Sequence, residues 1–243
     1  MEKVKIGFAP STWESWDGSA YTGKLAGKMR ARCLEALKKV PGLEIVVPSE
    51  ELTESGCVGT VEEGMAAADL FLNEKVQGII IGNMNFGYEV AIGAMLSKLP
   101  KDIPVLHFAM KSGAYSPEGN RATDTWCGQF MTCSALRRRG FKFEHIITCD
   151  PEEERFAQKV EIFTRACNAI SGFRGARVLQ VGTRPMNFES QFFSEEDMMR
   201  NFSQVLVPID LATAYECMDA VSPDDPDVQR IVKELRNSVD LIT

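Results

Sequence analysis

The chain has 243 residues, 44% of them hydrophobic and 25% charged. That balance excludes a disordered chain, a collagen-like fibre and a disulfide miniprotein. With 34 acidic residues against 27 basic ones and a net charge of −7, no nucleic acid and no membrane surface is expected as the main partner.

The apolar pattern predicts a first strand over Val4 to Ala9 and a helix over Tyr21 to Val40, with Leu25, Met29, Cys33 and Leu37 at helical spacing. Pro41-Gly42 breaks that helix, and Leu43 to Val47 reads as a second strand. A helix over Val61 to Lys75 follows, with Thr60 placed to cap it. Val76 to Ile81 is the third strand, Tyr88 to Leu99 a helix stopped by Pro100, and Ile103 to Ala109 the fourth strand. Arg121 to Arg139 reads as a helix ended by Gly140, and its Arg137-Arg138-Arg139 run suits a solvated last turn. Phe143 to Thr148 is the fifth strand, and Pro151 to Ile170 a long helix that opens on Pro and three Glu.

Near-continuous apolar strands alternating with helices predict an α/β fold, a doubly wound Rossmann/flavodoxin-like parallel sheet, over residues 1–150. Residues 151–175 read as a connecting helix and junction. Residues 176–243 read as the start of a second α/β domain, with strands Arg177 to Gly182 and Val205 to Asp210 and helices Ser194 to Phe202 and Asp227 to Val239. Two parallel strands make a poor independent sheet. The expectation is a second unit that this chain leaves incomplete.

The apolar runs, such as Ile79-Ile80-Ile81, are too short to cross a membrane. The strand pattern starts within the first few residues, so no signal peptide is expected. The seven cysteines are odd in number and form no CxxC. We read them as free thiols of a cytoplasmic protein.

Ligands of open parallel sheets bind beyond the carboxyl ends of the strands. The loops there run from Pro10 to Asp17, from Asn83 to Glu89, from Met110 to Trp126 and, in the tail, from Thr183 to Phe188. All three tryptophans, Trp13, Trp16 and Trp126, fall in or beside these loops. Aromatic rings beside Asn, Asp, Glu and Arg suit a polar ligand with an apolar face, such as a sugar. The same rings would equally cap a core or form a subunit contact.

Sharper motifs fail. Gly18 to Leu25 lacks the Ser or Thr that completes a phosphate-binding loop, no GxGxxG follows a strand, and there is no GxSxG. His107 and His145 both fall in predicted strands, where a core or sheet-end role outweighs metal ligation, and neither forms an HxH or HxxxH pair. Cys127 alone offers no nucleophile system.

Three stretches resemble the first domain of the L-fucose isomerase and L-arabinose isomerase superfamily: Asn83-Met-Asn-Phe-Gly-Tyr-Glu89, Ile103-Pro-Val-Leu-His-Phe-Ala109 and Asp124-Thr-Trp-Cys-Gly-Gln129. Phe173 to Phe188 resembles the opening of that family's second domain. The resemblance implies aldose–ketose isomerisation through an enediol, with a sugar as substrate and Mn2+ as the metal of the complete enzyme. It also implies a homo-oligomer in which the first domain's loops close over a neighbour's active site. By carry-over, Trp13, Glu14, Asn85, Phe86 and Trp126 are substrate-facing or lid residues, and Arg184, Met186 and Phe188 approach from the second domain. The metal ligands would lie beyond Thr243, in a missing C-terminal part or a partner chain, so no metal is expected on this chain alone. No catalytic acid or base can be named. The alternative reading is a non-catalytic sugar-binding or assembly module of the same fold, and a weaker one is a flavodoxin-like cofactor binder.

Overall fold

The computed structural model describes residues 3–13, 25–53, 55–113, 115, 119 and 121–239. The chain divides into two compact units, Met1–Ser171 and Gly172–Thr243.

The first unit is built on five strands, β1 (Val4–Ser11), β2 (Leu43–Val46), β3 (Gly78–Asn83), β4 (Val105–Ala109) and β5 (Phe143–Ile146). All pair in parallel, in the order β2-β1-β3-β4-β5. Its helices are α1 (Leu25–Leu37), α2 (Val61–Asn73), α3 (Glu89–Lys98), α4 (Thr125–Arg138) and α5 (Glu154–Phe173). Every residue of β3 is buried, because helices cover both faces of the sheet. On one face Ile6, Phe8, Ile80 and Phe108 pack against Met29, Cys33 and Leu37 of α1 and against Phe156, Val160 and Phe163 of α5. On the other, Ala9, Ile79, Ile81 and Val105 meet Phe71 of α2, Ile92 and Met95 of α3 and Leu136 of α4. Each fully buried Phe or Ile contributes roughly 1.5–3 kcal/mol relative to an exposed one. This is the doubly wound, flavodoxin-like arrangement expected from the sequence, and its chain reversal falls between β1 and β3.

The predicted cap on α2 is present as a reciprocal box. Thr60 Oγ1 accepts from Glu63 N at 3.1 Å, and the Glu63 carboxylate accepts from Thr60 N at 3.0 Å. Two helix starts differ from the sequence reading. Helix α5 opens at Glu154 rather than Pro151, after a turn in which Asp150 N donates to Glu153 Oε1 at 2.6 Å. Helix α4 opens at Thr125 rather than Arg121, because Arg121 is held in an isolated antiparallel bridge to Tyr115. The predicted Tyr21 to Val40 helix is observed as Leu25–Leu37, and its first four residues lie outside the described ones.

The second unit pairs β6 (Arg177–Val181) in parallel with β7 (Val205–Ile209). Helices α6 (Glu195–Phe202), α7 (Leu211–Asp219) and α8 (Pro226–Ser238) accompany them. Helix α7 has no counterpart in the sequence reading. Asp210, taken there as the last strand residue, is its N-cap and accepts from Thr213 N at 2.7 Å. That bond holds the Asp210 carboxyl below its usual pKa. Helices α6, α7 and α8 bury no side chain, and Leu179, Val181 and Val205 of the two strands stay exposed. Among the described residues, no helix is long and apolar enough to cross a membrane. All seven cysteines are free.

Candidate functional site

Strands β1 and β3 end side by side, with Ser11 opposite Asn83. Beyond them the two loops are joined through Asn85, which is fully buried. Its Oδ1 accepts from Trp13 N at 3.1 Å, Phe86 N at 2.6 Å and Gly87 N at 3.3 Å. Its Nδ2 donates to Thr12 Oγ1 at 2.9 Å and Trp13 O at 3.4 Å. Ser11 Oγ accepts from Tyr88 N at 2.9 Å and ties β1 to the start of α3. These bonds set the Trp13 and Phe86 rings against each other, with centroids 5.2 Å apart and planes tilted by 52°.

A second buried network fixes the far side of the same loop. Asn83 Nδ2 donates to Phe86 O at 2.8 Å and to Thr132 Oγ1 at 3.2 Å. Its Oδ1 therefore faces His107 Nε2, 3.0 Å away, and His107 Nδ1 lies 3.3 Å from Cys133 Sγ. That pattern assigns the proton to Nε2 and makes Nδ1 the acceptor for the Cys133 thiol. Burial, with a smaller contribution from His145, pushes the His107 pKa down to about 3. Burial also raises the Cys133 pKa. Both groups are neutral near pH 7, so they position the loop rather than exchange protons.

The approach of α4 to this loop depends on glycine. A Cβ at Gly128 would stand 1.6 Å from Phe86 O. At Gly87 the backbone is left-handed, with φ +87°, and a Cβ would lie 2.5 Å from Asn83 Nδ2.

After β4 the chain runs as a strap before entering α4. Gly113 N donates to Thr123 Oγ1 at 2.8 Å, and Ser112 Oγ accepts from Thr125 N at 3.3 Å. Arg121 pairs with Asp124 and stands over the Tyr115 ring, 5.8 Å from its centroid. Ser112, Gly113, Tyr115, Arg121, Thr123 and Asp124 line a half-open cavity of about 190 Å³.

Of the residues singled out in the sequence, the structure brings together Trp13, Asn85 and Phe86. Asn85 acts there as the clamp between loops, with both amide atoms engaged. Trp126, in the first turn of α4, is half-exposed and packs edge-on against Phe130 at 5.2 Å. Glu14 lies outside the described residues, as do Trp16, Asp17 and Asn120. In the second unit, Arg184 Nη1 donates to Phe188 O at 3.5 Å and its guanidinium lies 6.0 Å from the Phe192 ring. Met186 is 85% exposed and Phe188 half-exposed. The sequence reading missed the Asn83–His107–Cys133 chain. Its one visible signal was a histidine inside an otherwise apolar strand.

The site offers ring faces, hydroxyls and one compensated Arg–Asp pair, which suit binding and orientation of a small polar ligand. Among the described residues, no three His, Cys, Asp or Glu side chains converge to hold a metal ion. The described residues therefore do not fit the manganese that the family resemblance implies.

A sequence profile of the N-terminal domain of fucose/sulfoquinovose isomerase matches residues 18–174. No curated protein matches the chain. Among solved structures, a variant of SOBER1 from Arabidopsis thaliana is similar at 8% identity over 68% of this chain and 99% of that one, with a TM-score of 0.32.

Proposed function

The chain belongs to the family of fucose/sulfoquinovose isomerase N-terminal domains, and from that premise we propose that it is the substrate-contacting N-terminal part of an aldose–ketose isomerase. The observation that carries this reading is the Trp13–Phe86 pair, held at the β1/β3 reversal by the Asn85 clamp. A ring wall at that edge gives the apolar face of a sugar something to stack on. Trp126 and Glu14 extend the contact set in this proposal, and Arg184, Met186 and Phe188 of the second unit are assigned sugar contact by the family resemblance alone.

Manganese, in this reading, is held by residues other than those described, in a further segment or a partner chain. Bound there, it would supply Lewis-acid polarisation of the substrate oxygens. Exposed apolar side chains of the second unit, such as Phe192, Met218 and Leu235, favour a homo-oligomer that covers them. Seven free cysteines favour a cytoplasmic setting.

The test is aldose–ketose conversion of L-fucose and of sulfoquinovose, followed by NMR, by protein isolated from its native source with and without Mn2+. Turnover that requires Mn2+ and falls on Trp13→Ala supports the proposal. Sugar binding without turnover by the complete native assembly favours the non-catalytic module. Neither binding nor turnover overturns both.

A further inference from the structure

The chain of hydrogen bonds from Cys133 through His107 to Asn83 has a fixed polarity. Phe86 O is a carbonyl and only accepts, so the atom facing it at 2.8 Å is Asn83 Nδ2. Asn83 Oδ1 then accepts from His107 Nε2 at 3.0 Å, and the neutral ring presents Nδ1 as an acceptor. The donor that meets it, at 3.3 Å, is the thiol of Cys133. Each link sets the direction of the next. Gly87 and Gly128 close on the Asn83 amide and keep it from swinging aside: a Cβ at either would stand 2.5 or 2.8 Å from Nδ2. Thr132 Oγ1 lies 3.2 Å from Nδ2 and 3.3 Å from Oδ1, and as a hydroxyl it can serve either orientation of the amide.

Asn83 and His107 are fully buried, whereas Cys133 is half-buried. Of the three, only the sulfur meets reagents from solution. When a second sulfur replaces the thiol proton, that end of the chain turns from donor to acceptor. Sγ and Nδ1 then face each other as two acceptors. The ring answers by carrying its proton on Nδ1, which makes Nε2 an acceptor opposite Asn83 Oδ1. The amide answers by flipping, and its oxygen then faces Phe86 O. The bond lost at the end is the one that holds Phe86 O, on the residue whose ring lies against Trp13.

We propose that Cys133 is a modification site for small disulfides, and that a mixed disulfide there reverses the chain and releases the Phe86 loop. The Cys133 thiolate attacks one sulfur of the disulfide. A new S–S bond forms as the old one breaks. Cys133 is oxidised, and the departing half is reduced and takes up the proton that Cys133 gave up. A dithiol reductant reverses the step. The switch acts on the loop whatever ligand the ring pair takes, so it stands apart from the sugar reading.

The experiment uses the full chain with the exposed Cys127 and Cys217 replaced by serine, treated with hydroxyethyl disulfide. Mass spectrometry locates the adduct, and nitrogen NMR of the His107 ring reads its tautomer. Hydrogen exchange reads the Phe86 and Gly87 amides, which donate to Asn85 Oδ1. The expected result is an adduct on Cys133, transfer of the ring proton from Nε2 to Nδ1, and exchange faster by about fivefold or more, the worth of one net hydrogen bond. Dithiothreitol should restore both. Cys133→Ser keeps a donor and forms no disulfide, so it should hold the parent tautomer and ignore the reagent. Cys133→Ala has no donor and should show the faster exchange without any reagent. Cys133 left unlabelled overturns the site. An adduct with tautomer and exchange unchanged overturns the relay, as does a ring protonated on Nδ1 in the untreated protein. Unfolding of the labelled chain, seen by circular dichroism, overturns the switch.

Discussion

Replacing Gly128 by alanine sets two opposed effects against each other. Gly128 lies inside α4, and alanine there is favoured over glycine by about 0.5–1 kcal/mol through backbone entropy. Against that, the added Cβ would stand 1.6 Å from Phe86 O and 2.7 Å from the Phe86 carbonyl carbon. Ordinary contact distances require roughly 2 Å more. Both obstacles are backbone, so no side-chain rotation relieves them. Either α4 backs away from the sheet or the 83–88 loop moves. Moving the loop breaks the Asn83–Phe86 bond of 2.8 Å, worth about 1 kcal/mol. Overpacking of this kind costs about 1–3 kcal/mol, so the clash wins by about 1–3 kcal/mol net. For a unit of this size each kcal/mol moves the melting temperature by about 2–4 °C. Thermal unfolding followed by circular dichroism should therefore show a fall of about 2–12 °C. Gly172→Ala is the control, since Gly172 lies near the end of α5 with nothing within 4 Å of its Cβ position, and should melt at or slightly above the parent. A Gly128→Ala protein as stable as the parent would refute the close approach of α4 to the loop.

Three further outcomes follow from the same geometry. His107 has a folded pKa depressed from 6.5 to about 3, so the unfolded chain takes up its proton first, and stability should fall by up to about 1.4 kcal/mol per pH unit as pH drops from 6.5 towards 3; denaturant titrations of His107→Gln should show a shallower fall over that window. The hydrogen bond from Lys111 and then the Asp150 N–H hold the Glu153 carboxyl down at about 2, so its contribution is complete above pH 4.5 and lost as pH falls towards 2; Lys111→Ala should move the acid-unfolding midpoint upward, and an unmoved midpoint would count against the pair. Trp13→Ala should weaken sugar binding at least tenfold while shifting the melting temperature by less than about 4 °C, whereas a loss near the 3–5 kcal/mol typical of a buried Trp would assign the ring to the core instead.

The strands were legible because burial on both faces leaves a continuous apolar run, as in Ile79-Ile80-Ile81. Their order in the sheet was not, because parallel neighbours are joined by crossovers that leave no local trace. Helix starts were misplaced where a nearby segment claims the first residues. Arg121 has good helix propensity, but Tyr115 and Asp124 hold it outside α4. Asp210 looked like a strand end because its capping role appears only once α7 exists. At the site, Trp13, Asn85 and Phe86 were visible as loop residues after strands. The clamp function of Asn85 was not, since its partners on the β1 loop lie 72 and 73 positions away. The Asn83–His107–Cys133 chain likewise spans separations of 24 and 26 residues.

Cavity size does not pick out the site; position and chemistry do. A groove of about 510 Å³ lies between α1 and the start of α5, and a cavity of about 450 Å³ lies near the amino-terminal ends of β1 and β3. Both exceed the strap cavity. The groove is lined by an exposed ion pair, Arg32 with Glu152 at 2.9 and 2.6 Å, and the other cavity by Lys5 with Glu74 at 2.8 Å. Exposed pairs of that kind are worth about 0–1 kcal/mol and remain solvated, so they give a ligand little to replace. At the carboxyl edge the lining is different in kind. Thr123, Thr125 and Asn85 are buried hydroxyls and an amide that hold their loops in place, and the rings of Trp13, Phe86 and Tyr115 stand beside them. Fixed polar groups next to ring faces lose little entropy when a ligand arrives, because the fold has already ordered them. That preorganisation is why the proposed function is set at the β1/β3/β4 edge, although larger hollows among the described residues lie elsewhere.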